Sequence, residues 1–99
     1  MFRLTRKAYE DLKGIAVYTQ ENWGKSQRGI YLKMIDDAFH ELSAHPGHGK
    51  KIDDIREGYF KYRIAKHIIF YRMVSKKDIE IVRILHQRMD VESNIGRTT

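Results

Sequence analysis

The 99-residue sequence predicts an α+β domain in which a short first strand and an antiparallel two-helix hairpin pack on one face of a small antiparallel sheet. Three observations predict it. Apolar residues recur at helical spacing through the first half of the chain, the period changes to two after Gly58, and His45-Pro46-Gly47 punctuates the chain between the two regimes.

Phe2-Arg3-Leu4 is short and apolar at both ends, a strand candidate, and Thr5 is placed to cap a helix starting at Arg6. Ala8, Leu12, Ile15, Ala16, Thr19 and Trp23 then lie along one side of that helix, and Gly24 suits its C-terminal cap. Ser26 is a candidate cap for a second helix, whose apolar face is Tyr31, Met34, Ile35, Ala38, Phe39 and Leu42. Proline ends it, because Pro46 cannot continue the hydrogen-bond ladder and biases His45 out of the helical region. Trp23 and the Tyr and Met side chains of both helices are expected to pack in the core or across the hairpin.

Residues 48–57 are polar and are expected to form a loop with at most one helical turn. Phe60, Tyr62 and Ile64 alternate with Tyr59, Lys61 and Arg63, the pattern of a half-buried strand. Ala65-Lys66 is short enough for a hairpin turn, although it lacks the Asn-Gly or Asp-Gly usually found there. His67 to Val74 is apolar on both faces and should run centrally, Ser75 to Asp78 should turn, and Ile79 to Leu85 should be the last strand. Asp90 is placed to cap a final helical turn over Val91 to Ile95, and Gly96 to Thr99 reads as a frayed end. The helices would cover one face of the sheet and leave the other open.

Composition narrows the function. One domain over residues 1–99 is expected, since this length supports one compact core. With 32% charged and 41% hydrophobic residues the chain is too apolar for disorder, and no apolar run nears the roughly 20 residues of a spanning helix. Absence of cysteine excludes disulfides and thiolate chemistry and fits the cytoplasm, where no export signal would be needed. The net charge of +6 is asymmetric: residues 1–49 hold 7 basic and 6 acidic groups, residues 50–99 hold 12 and 7. An anionic partner at the second half is the functional reading, a solvated basic surface the structural one.

The strongest chemical signal is the end of the last strand, where an apolar run enters His86-Gln87-Arg88-Met89-Asp90. An antiparallel sheet could bring several of Arg63, Arg72, Arg83, His86 and Arg88 together. Cleavage of RNA needs such cations beside an acid–base pair, with His86 the group of suitable pKa. Yet Gln87 and Met89 cannot exchange protons usefully, so the pair is incomplete, and ordinary ion pairing of the arginines is the simpler account. No phosphate-binding glycine loop, nucleophile elbow or metal-binding helix motif is present. His45 and His48 read as a polar turn, and Asp36 and Asp37 point about 100° apart on a helix.

Taken in order, the short first strand, the helices around Trp23-Gly24, the break from His45-Pro46 to Gly49, Ile55-Arg56-Glu57-Gly58-Tyr59, Phe70-Tyr71-Arg72 and Leu85-His86-Gln87-Arg88-Met89-Asp90 span nearly the whole chain. This series resembles the ParE toxins, a branch of the RelE/ParE superfamily. The resemblance implies the RelE/ParE fold and a toxin of a type II toxin–antitoxin system. Such a toxin binds DNA gyrase, stabilises cleaved DNA and blocks replication without turnover or cofactor.

On that reading Arg63, Arg72, Arg83, His86, Gln87, Arg88 and Met89 are the gyrase-contact candidates, and DNA is met only indirectly through gyrase or the antitoxin complex. A ParD-like antitoxin would lie along the hairpin near Leu12, Ile15, Trp23, Tyr31 and Ile35. The alternative within the superfamily is a RelE-like, ribosome-dependent mRNA endoribonuclease. The His86-Gln87-Arg88-Met89 ending departs from the denser acid–base set of those enzymes.

Overall fold

The structure is a computed structural model that describes residues 1–89 and Ile95. The helical turn expected from Asp90 and the end from Gly96 lie outside the described residues, apart from Ile95, which is helical and buried. The chain runs β1 (Phe2–Leu4), α1 (Arg6–Trp23), α2 (Lys25–Ala44), one 3-10 turn (Pro46–His48), β2 (Lys50–Lys51), β3 (Tyr59–Ile64), β4 (His67–Met73) and β5 (Ile79–His86).

Thr5 caps α1 as expected. Its hydroxyl accepts from the Ala8 amide at 3.0 Å and donates to the Val82 carbonyl at 2.7 Å, fixing the helix start to β5. The link between the helices is tighter than the sequence indicates. Gly24 alone closes α1 and opens α2, at φ 92° and ψ 169°, a conformation open essentially to glycine, so Ser26 falls within α2 and is not its cap.

The sheet has the order β1-β5-β4-β3-β2. β2 to β5 pair antiparallel, as the alternating pattern implies, whereas β1 joins β5 in parallel, which makes the sheet mixed. The helices pack on one face around Ala8, Ile15, Ile35, Phe39, Leu42, Phe60, Ile69, Tyr71, Ile79, Ile81 and Ile84. At roughly 2 kcal/mol per buried large aliphatic side chain, this cluster is the principal source of cohesion.

The opposite face is not left open as expected. Ile52, Phe70, Leu85 and Ile95 form a second buried cluster, joined by Ile55, Tyr59 and Ile68. The segment read as a polar loop folds back because its three-residue spacing of Ile52 and Ile55 supplies the apolar groups that cap this face. Gly49 allows the return: a Cβ there would meet the Tyr71 hydroxyl and, at 2.8 Å, the Lys61 carbonyl oxygen. The Tyr71 hydroxyl accepts from the Gly49 amide (2.8 Å) and donates to the Pro46 carbonyl (2.7 Å), satisfying its polar end inside the core. Burial, the largest cause, pushes the Tyr71 pKa up.

A β-bulge determines what β5 presents. Phe70 pairs with Arg83 and Tyr71 with Ile81, leaving Val82 as the extra residue. Side-chain alternation shifts by one beyond it, so Ile79, Ile81 and Ile84 all face the helices while Leu85 enters the other cluster. His86, with Ile84, is carried to the helical side.

Candidate functional site

The bulge and the end of β1 together decide the fate of Arg83. β1 stops opposite Ile81, so beyond that point the outer edge of β5 has no strand partner among the described residues. Asp11 of α1 fills the gap: its carboxylate accepts from the Ile84 amide (3.0 Å), from Arg83 Nε (2.8 Å) and from Arg83 Nη2 (3.0 Å). Both side chains are largely buried, at 14% and 16% exposure. The Asp11 hydrogen bond pushes the Arg83 pKa up, against the opposing effect of burial. Arg83 thus ties α1 to β5.

The basic residues expected to converge are separated. Arg72 lies on the face away from the helices, where its Nε contacts Glu80 Oε1 at 2.9 Å, and Arg3 reaches the other oxygen of Glu80 at 3.0 Å. Arg63 donates to the Ala65 carbonyl at 3.1 Å near the β3–β4 turn, about 13 Å along the sheet from Arg72 by strand rise. His86 faces the helices. Strict alternation would have put it on the side of Arg63 and Arg72, and the one-residue shift at Val82 is what separates them.

His86 instead belongs to a cluster that the strand pattern did not reveal. His67 opens β4 directly opposite His86, and the two rings meet edge to face at 5.4 Å between centroids. The Tyr31 hydroxyl of α2 lies 2.6 Å from His67 Nδ1. Burial, helped by His86 and opposed by Asp11, lowers the His67 pKa, and burial raises that of Tyr31 against a hydrogen bond with the Lys66 backbone. Both groups are therefore held neutral, and the His67 tautomer decides which of the two donates. The signal available in the sequence was positional: His67 and His86 end two strands that had to be neighbours.

These residues line a groove of about 490 Å³ where the hairpin tip overhangs the β3–β4 turn. Tyr18, Trp23 and Tyr31 form one wall; Lys66, His67 and His86 form the other. Trp23 is 68% exposed and Tyr18 64%, so these rings do not pack in the core as expected. The turn beneath is held firmly: Ala65 sits at φ 52°, in a region that costs a non-glycine residue about 1 kcal/mol. The Lys66 carbonyl accepts from the Gln87 amide at 2.9 Å.

Of the other antitoxin candidates, Leu12 is partly buried against the core, and Ile15 and Ile35 are core residues, Ile35 with no exposed surface. A buried side chain has no area to offer a partner, so Ile15 and Ile35 are structural. Gln87, Arg88 and Met89 project beyond β5 and are exposed, with the Arg88 amide donating to His86 Nδ1 at 3.2 Å. Among the described residues there is no group of three or more potential metal ligands of the His, Cys, Asp and Glu kind. Neither is any helix among them long and apolar enough to cross a membrane.

A hairpin packed on a mixed sheet, with an aromatic groove at its tip and an exposed polar tail after the last strand, makes this a small α+β protein. Residues 2–91 match the family described as ParE toxin of type II toxin-antitoxin system, parDE, and the chain belongs to that family. It is similar to Toxin ParE1 of Caulobacter vibrioides, with 33% identity over 95 residues covering 96% of this chain and 97% of that one. To Toxin ParE1 of Mycobacterium tuberculosis it has 37% identity over 94 residues, covering 95% and 96%. Its fold matches a solved chain of the chromosomal ParDE TA system from P. aeruginosa at a TM-score of 0.73, with 22% identity over 86% of this chain and 92% of that one. The protein is the toxin component of a type II toxin–antitoxin system.

Proposed function

We propose that the toxin arrests growth by binding DNA gyrase and stabilising its cleaved-DNA state, and that it catalyses no reaction of its own. The observation that carries this reading is the segment after β5. Gln87, Arg88 and Met89 are exposed, contain no acid–base group, and are held at a fixed exit by the Gln87 and Met89 backbone bonds to Lys66 and His86. A ligand that binds one enzyme conformation better than the others shifts the equilibrium by its differential affinity, so no turnover is required. Arg63 and Arg88 are the cations placed to contribute to such a surface; Arg72 already shares Glu80 with Arg3.

A ParD-like antitoxin neutralises the toxin by ordering a segment along the hairpin, with Trp23 and Tyr31 as its apolar contacts. Their position in an open groove supports this, as does the solved ParDE system that shares the fold. A segment disordered when free gains order by burying such rings.

The test incubates purified protein with gyrase and plasmid and scores supercoiling and cleaved linear DNA, with ribosome-dependent mRNA cleavage measured in parallel. Loss of supercoiling with accumulated linear DNA and intact mRNA is expected. Cleaved mRNA with normal supercoiling would replace this reading with a RelE-like endoribonuclease.

A further inference from the structure

We propose that the β2–β3 edge of the sheet binds the phosphate backbone of duplex DNA directly. Lys50 of β2 stands opposite Lys61 of β3 in register, so the two ammonium-bearing side chains leave the same face of adjacent strands about 4.8 Å apart. Arg63 follows two residues along β3 on that same face, about 6.6 Å further. Like charges placed directly opposite in a sheet are destabilising unless an anion lies between them.

Among the described residues no carboxylate forms an ion pair with Lys50, Lys61 or Arg63. The three border a cavity of about 410 Å³ completed by His48, Tyr62 and Ile68, with no acidic side chain in its lining. Glu41 is turned to His48 Nδ1 at 3.7 Å.

Protection of a sheet edge against strand pairing is a general use of lysine and accounts for Lys50 and Lys51. It does not account for Lys61, which sits one strand inside the edge. An acidic peptide adding as a further strand would find only two residues of β2 to pair with. A polyanion that needs charges at strand spacing and no backbone ladder fits better, and a groove-reading element is absent from this edge, so the contact is to phosphate and independent of sequence. This differs from the indirect contact implied by the family resemblance, and it does not require gyrase.

The test uses the purified toxin and a fluorescently labelled DNA duplex, with anisotropy recorded between 50 and 200 mM salt. Replacing both lysines (Lys50→Gln with Lys61→Gln) should lower the slope of log affinity against log salt by about 1.8, since each phosphate left without its lysine removes about 0.9. Thermal melting of this variant should be unchanged or raised, because a repulsion is removed. The control, Lys7→Gln with Lys13→Gln on the exposed side of α1, removes the same charge and should leave the slope within about 0.5 of the parent. Failure of the parent protein to bind duplex, or an equal fall in both double variants, would overturn the proposal. So would a polyglutamate peptide binding the parent at this edge while duplex does not, since the edge would then serve an acidic polypeptide.

Discussion

Replacing Asp11 with alanine tests the strongest single tie between the helices and the sheet. The substitution removes three hydrogen bonds at once, two from the Arg83 guanidinium and one from the Ile84 amide. Taking away one partner of a largely buried ion pair costs about 3 kcal/mol, because its charge-assisted hydrogen bonds are lost while the desolvation of the guanidinium is not recovered. The orphaned Ile84 amide adds about 1 kcal/mol. For a domain of this size each kcal/mol moves the melting temperature by about 4–8 °C, so Asp11→Ala should melt at least about 15 °C lower. Asp11→Asn keeps one carbonyl acceptor for the amide and should lose about half as much.

Circular-dichroism melts of Asp11→Ala, Arg83→Met and the double variant separate the terms by a thermodynamic cycle. A coupling energy of about 3 kcal/mol is expected, with the remaining roughly 1 kcal/mol of the Asp11 effect persisting in the Arg83→Met background as the cost of the bare amide. A fall of less than about 4 °C for Asp11→Ala, or coupling below about 0.5 kcal/mol, would refute the assignment of Arg83 as structural and return it to the surface available to a partner.

Three other perturbations have defined outcomes. Because the His67 pKa is lowered by burial, the unfolded chain binds its proton more readily; the stabilisation is complete above the unfolded value of 6.5 and is lost as pH falls through the folded value, so His67→Gln should flatten the acid limb of a melting-temperature profile. Gly49→Ala drives a methyl group against the Tyr71 hydroxyl and the Lys61 carbonyl, and should cost about 2–4 kcal/mol in urea unfolding; a loss under about 1 kcal/mol would mean that the 46–58 segment yields freely. Trp23→Ala should leave stability within about 0.5 kcal/mol, since the ring is mostly exposed, yet weaken antitoxin binding at least about tenfold in calorimetry, and unchanged affinity would remove the groove from the interface.

The helices, their order, the Thr5 cap and the β3–β4–β5 meander were legible because each rests on local periodicity or capping chemistry. The parallel pairing of β1 was not, since three residues carry no information about a partner 77 positions away. The bulge at Val82 was harder to place: Glu80 and Arg83, three apart, break the alternation, but with Ile81, Val82, Ile84 and Leu85 all apolar nothing fixes which residue is the extra one. That one residue explains most of the error at the candidate site, for it removed His86 from the arginines and placed it with His67 and Tyr31. The partner of Arg83 was hidden for a related reason. Its partner Asp11 sits on the polar border of α1, and a carboxylate there reads as solvated until β1 is known to end early. Trp23 was misread because a large ring on an apolar stripe usually packs inward, whereas here the stripe outlasts the sheet beneath it.

The clasp of β1 against β5 has a consequence for how the activity can be lost or gained. The first strand has no partner until the last has been made, and β5 lies between β1 and β4 in the sheet. At about 5–20 residues per second of synthesis, several seconds separate the appearance of the two strands. During that interval the emerging chain can form the helical hairpin but cannot complete the sheet that supports both surfaces. A stop codon anywhere before Leu85 would then yield an unfolded polypeptide and not a weaker toxin. Escape from toxicity by truncation should accordingly be all-or-none along the length of the coding sequence.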